Sequence, residues 1–96
     1  MEETYGIAAF RSRQQVMAFH QALVRAGVPS SIVSTPRSIS VGCGLSVRFE
    51  LRDVRDVRDV YRMTQPGNLI GFYRVHYDGF GHVTAAPMGI EMGYHG

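Results

Sequence analysis

The chain has a single cysteine and no lysine, and no apolar run in its 96 residues is long. One cysteine cannot close an internal disulfide, which excludes a secreted disulfide scaffold and fits a reducing cytoplasm. It also excludes a Cys-x-x-Cys oxidoreductase centre. No apolar stretch approaches the roughly 20 residues that a membrane helix needs, and Glu2 and Glu3 make the start acidic where a signal peptide would be basic. The expectation is a soluble, cytoplasmic protein with no membrane partner. All ten basic residues are arginine, and the net charge of +2 is spread too evenly to call for nucleic acid. With 45% hydrophobic residues the chain can bury one core, but it is too short to add a second domain for a cofactor. No cofactor is therefore expected.

What is present reads as six elements. Thr4 to Phe10 is a short apolar strand, and Ser12 followed by Gln15 has the spacing of a capping box, so a helix should start near Arg13. Val16, Phe19, Leu23 and Ala26 recur at helical spacing, with Met17 and Val24 widening the stripe, and Gly27 is suited to end the helix in a left-handed conformation. Val28 to Ser34 is β-branched and strand-like until Pro36 interrupts it. Leu45, Val47, Phe49 and Leu51 alternate with Ser46, Arg48, Glu50 and Arg52, the period of a half-buried strand.

Asp53 to Thr64 contains a repeated Arg-Asp-Val run. Its valines at 54, 57 and 60 fall on one side of a helix, while Arg52/Asp56 and Arg55/Asp59 stand at ion-pair spacing. Aspartate cancels arginine nearly one for one, so the run reads as a solvated helix face, not an RNA-binding tract. Pro66-Gly67 closes the helix, and Leu69 to Tyr77 makes a last strand. The order β-α-β-β-α-β predicts an α+β fold: a ferredoxin-like split βαβ sandwich, one antiparallel sheet with two helices on a single face. The domain is expected over residues 1–78, followed by a glycine-rich C-terminal tail, 79–96. The open sheet face, with Tyr, Phe and Met nearby, suits a second copy of the chain as in a homodimer.

Cys43 lies between Gly42 and Gly44 in the loop joining the second and third strands. The thiolate is the reactive form of cysteine, and cationic groups or converging backbone N–H donors stabilise it. Two glycines let amides turn toward the sulfur as an anion-holding nest and leave it open to another protein. Pro36 shapes the turn, Arg37 and Arg48 are near enough in sequence to supply positive charge, and Thr35, Ser38, Ser40 and Ser46 add hydroxyls. The bland alternative is a small apolar filler, a common role for a lone cysteine.

Other chemistries are less well supplied. A cysteine hydrolase needs a histidine base, for which His20, His76, His82 and His95 are the candidates. His20 sits on the apolar helix face between Val16 and Leu23, as a half-buried core histidine would, and His76 reads as a surface or edge residue. Asp78, His82 and His95 match no standard metal-ligand spacing. Phe72, Tyr73 and Tyr77 raise an RNA-binding alternative, but core packing explains them without a recognition motif. With no phosphate-binding glycine loop and no convincing carboxylate pair, the sequence points away from an independent enzyme.

The segment Ser34-Thr35-Pro36-Arg37, then Ser40, then Gly42-Cys43-Gly44-Leu45-Ser46, with Phe10-Arg11-Ser12 upstream and Arg48-Phe49 downstream, resembles a selenium/sulfur carrier-like family of small bacterial domains of unknown function. The resemblance covers roughly residues 4 to 77. It implies that Cys43 holds sulfur or selenium as a persulfide or selenosulfide, taken from a donor such as a cysteine desulfurase and passed to an acceptor protein. Pro36, Arg37, Gly42, Gly44, Ser46 and Arg48 would form its surroundings. The competing reading is a regulatory module that binds a ligand or protein and keeps Cys43 for structure alone.

Overall fold

The computed structural model describes residues 1–39 and 42–89. They form β1 (Glu3–Phe10), α1 (Arg13–Arg25), β2 (Ser30–Ser34), β3 (Leu45–Phe49), a 3-10 turn (Leu51–Asp53), α2 (Val54–Thr64), β4 (Leu69–Tyr77) and β5 (Val83–Met88). The class is α+β, with a five-stranded sheet in the order β2-β3-β1-β4-β5 and every neighbouring pair antiparallel. The sequence predicts four strands. The fifth, Val83-Thr84-Ala85-Ala86-Pro87-Met88, lies in the stretch read as tail. Two alanines and a proline give it little strand propensity, and Pro87 is tolerated because β5 is an edge, where a missing N–H breaks no ladder.

Register assigns the sheet's two faces. Gly6 stands opposite Phe49 and Ala8 opposite Val47 and Phe72. Ala8, Phe10, Val47, Phe49 and Phe72 therefore share the side on which Val16, Phe19 and Leu23 of α1 and Val57 and Val60 of α2 close the core. Rings fill its centre: Phe19, Phe49 and Tyr61 all meet Phe72 edge-on. Gly6 is required there, since a Cβ would stand 2.4 Å from the Phe49 ring. The opposite face is not bare, as the expectation of a homodimer surface assumes. Ile7, Ala9, Ser46 and Val75 on that side are as buried as the core, and the half-buried rings of Tyr5, Tyr73 and Tyr77 stand in line with them along the strands. Phe72 is thus a core ring, and only Tyr73 and Tyr77 face the other way.

Helix α1 starts where Ser12 predicts, but no side-chain capping bond forms. Ser12 instead accepts from the N–H groups of Gln15 and Val16 through its own carbonyl. At the other end Val28 donates to Leu23 and Gly27 to Val24, with Gly27 at φ +79°, a Schellman motif whose Leu23–Val28 apolar contact joins the core. In α2 the valines point inward as expected. The spaced pairs Arg52/Asp56 and Arg55/Asp59 form no ion pair, because these exposed side chains gain little by giving up solvent and rotamer freedom.

The β4–β5 turn is built around Asp78. One carboxylate oxygen accepts from the N–H groups of Phe80 (2.6 Å) and His82 (3.1 Å), and the other meets His82 Nδ1 at 2.7 Å. The Phe80 N–H bond, and after it the bonds and charge of His82, hold the Asp78 carboxyl below its ordinary 3.8 despite some opposing desolvation. A carboxyl depressed on folding contributes stability that is present above its unfolded pKa and lost as pH falls through the folded one. Protection of the Phe80 and His82 amides from hydrogen exchange should therefore weaken on acidification below about pH 4. Asp78→Asn should show less protection at neutral pH and a flatter acid profile. Identical profiles for the two proteins would show that the carboxylate does not hold the turn.

Candidate functional site

The loop from β2 to β3 carries Cys43, and its limb next to β3 is anchored twice. At the base Thr35 donates its N–H to Gly44 O at 2.9 Å, and its hydroxyl shares a 2.7 Å bond with the fully buried Ser46 hydroxyl. One residue before Gly44, Cys43 N–H reaches the carbonyl of Phe10 at 3.4 Å, which ties this limb of the loop to the end of β1. The pairing of β1 with β4 shifts register there, between Ala9 and Phe10. Ala9 faces Gly71 and Phe10 faces Leu69, so Ile70 is the extra residue of a bulge. Ile70 is freed to lie under the loop, where a Cβ on Gly42 would come within 2.5 Å of its Cδ1 and 2.7 Å of Phe10 O.

Both glycines beside the cysteine have left-handed backbones, Gly42 at φ +105° and Gly44 at φ +86°. Gly42 combines that backbone with a tight seat, whereas Gly44 has open space around it. Between them Cys43 is half-buried: its side chain packs on the edge of the helix-side core, and its thiol donates to Leu45 O at 3.7 Å. The sulfur is thus held in one direction by a weak bond to a neighbouring carbonyl while part of the residue meets solvent.

The remaining candidates separate around this loop. Ser46 faces away from the helices and is spent on Thr35. Arg48 is on that same face, its guanidinium 3.8 Å from the Tyr5 ring centre and paired with Glu3 at 3.4 Å and Glu50 at 4.0 Å. Pro36 and Arg37 line a cleft with Tyr5 and Val83. Ser40 lies outside the described residues, as does His95. The three described histidines all bond elsewhere: His20 to Ser30 (2.8 Å), His76 to Thr4 (3.0 Å) and Glu2 (2.9 Å), and His82 to Asp78. None takes the place of a base at Cys43. Among the described residues no three His, Cys, Asp or Glu side chains gather as a metal site, and no helix is long and apolar enough to cross a membrane. The seat formed by the Phe10 carbonyl and Ile70 escapes sequence reading, because it depends on a register shift between strands some 60 residues apart.

An open antiparallel sheet backed by two helices, with a single thiol on a glycine-flanked loop across the end of its central strand, defines a small α+β domain with one half-buried cysteine. Residues 5–65, from β1 to the end of α2, match the family described as "Putative Se/S carrier protein-like", and the chain belongs to that family. Comparison with curated proteins returns no match. Comparison with solved structures likewise returns none.

Proposed function

We propose that the protein carries sulfur or selenium on Cys43. The observation that carries this reading is the setting of the chain's only cysteine: half-buried, between two left-handed glycines, seated on a bulge at the sheet's end, and inside the family-matched segment. The scaffold reads as a ferredoxin-like split βαβ sandwich with one added strand, since β4-β1-β3-β2 runs antiparallel with β5 outside it.

The chemistry is thiol exchange. The Cys43 thiolate attacks the terminal sulfur of a donor persulfide, the donor's S–S bond breaks, a new S–S bond forms at Cys43, and the donor leaves as a thiolate. The proton of the resting thiol goes to solvent, and no outside oxidant or reductant is needed. A terminal selenium transfers in the same way to give a selenosulfide, and attack by an acceptor thiolate on the terminal atom restores Cys43. With no second cysteine to resolve the adduct within these 96 residues, the transfer relies on donor and acceptor partners; a cysteine desulfurase is the fitting donor class. Protein loaded by such a donor and separated from it should release a stoichiometric amount of sulfide when a small dithiol is added, and Cys43→Ser protein should release none. Absence of sulfide from the loaded wild-type protein would overturn the carrier reading.

A further inference from the structure

On the sheet face away from the helices, the first half of the β2–β3 loop and the β4–β5 turn stand apart and leave a cleft of about 510 Å³, within the size range of small-molecule sites. Tyr5, Pro36 and Val83 give it apolar walls, and Arg37 and Ser38 are the cationic and hydroxyl-bearing residues beside them in its lining. The charges nearby are unequally matched. Arg48 is neutralised by Glu3 and Glu50 while it covers one face of the Tyr5 ring, and the turn's own carboxylate, Asp78, is committed to Phe80 and His82. Arg37 is exposed and has no acidic partner among the described residues.

We infer that this cleft binds a small organic carboxylate, with Arg37 taking the carboxylate and Tyr5, Pro36 and Val83 holding an apolar body. A guanidinium fork matches a carboxylate with two parallel hydrogen bonds, and the apolar walls favour a ligand with a ring or branched chain over a bare anion. The cleft does not involve Cys43, whose side chain lies toward the helix-side core. The inference is therefore independent of the carrier reading, and each can fail without the other.

The test is a titration with benzoate, followed through the backbone amide resonances of the intact chain, beside parallel titrations with acetate and inorganic phosphate. Benzoate should give saturable shifts at Thr35, Arg37, Ser38 and Val83, acetate and phosphate should bind more weakly, and Arg37→Gln should weaken benzoate roughly tenfold or more, about what one lost charge-assisted bond amounts to. Arg37 is exposed and has no ion-pair partner among the described residues, so the variant should keep the wild-type amide spectrum elsewhere, and Cys43→Ser should bind benzoate like the wild type. No saturable shift, an Arg37→Gln protein that binds as tightly, or phosphate binding as tight as benzoate would each overturn the assignment.

Discussion

Replacing Phe72 with alanine is expected to cost about 3–5 kcal/mol, the usual range for removing a buried phenylalanine, and to leave much of the protein unfolded at 37 °C. Phe72 is 1% exposed and is the ring on which the core converges. Phe19 lies 6.3 Å from it across the α1 contact, Phe49 6.3 Å away on β3 and Tyr61 5.3 Å away on α2, all near perpendicular. Its removal opens a cavity between sheet and both helices that no neighbour can fill without abandoning its own edge-to-face contact. Against a total stability of roughly 5–15 kcal/mol for a domain this size, the melting temperature should fall by more than about 12 °C. Phe80, 88% exposed in the β4–β5 turn, is the matched control, and Phe80→Ala should change stability by less than about 0.5 kcal/mol. Equal melting of the Phe72→Ala and Phe80→Ala proteins would refute this account of the core.

Gly42→Ala is expected to have the largest effect at the site. At φ +105° an alanine pays about 1–3 kcal/mol of backbone strain, and the added methyl would be driven against Phe10 O and Ile70 Cδ1. The backbone oxygen cannot move without disturbing β1, so the loop must lift. The Cys43 N–H bond to Phe10 should break, and alkylation of Cys43 should accelerate while the protein loses stability. Gly44→Ala shares the left-handed backbone but meets nothing within 4 Å, so it should show the strain without the added steric loss. If Gly42→Ala matched Gly44→Ala in both stability and alkylation rate, the seat on Phe10 and Ile70 would not be what holds the loop.

The sequence shows most clearly what local chemistry determines. The bounds of α1 follow from Ser12 and from Gly27 with its Schellman bonds, and β4 runs over the predicted Leu69–Tyr77. The inward valines of α2 follow from their spacing. Long-range pairing is less visible. β5 forms because β4 offers it an edge, not because Val83–Met88 is a strong strand sequence. Arg37 and Arg48 look alike from Cys43 along the chain. The period-two alternation of β3 sends Arg48 to the far face, and the turn of the chain carries Arg37 to the cleft with Tyr5. Leu51 shows the limit of that alternation: it continues the pattern of Leu45, Val47 and Phe49 but opens the 3-10 turn into α2.

The measurement that bears most directly on the central claim is the intact mass of wild-type and Cys43→Ser protein after incubation with a cysteine desulfurase and its substrate. The carrier reading predicts that the wild-type chain gains one sulfur atom, mapped to Cys43 and removed by a thiol reductant, while the variant, folded and otherwise the same, gains none. A wild-type chain that takes up no sulfur, or a variant that takes up as much, would contradict it.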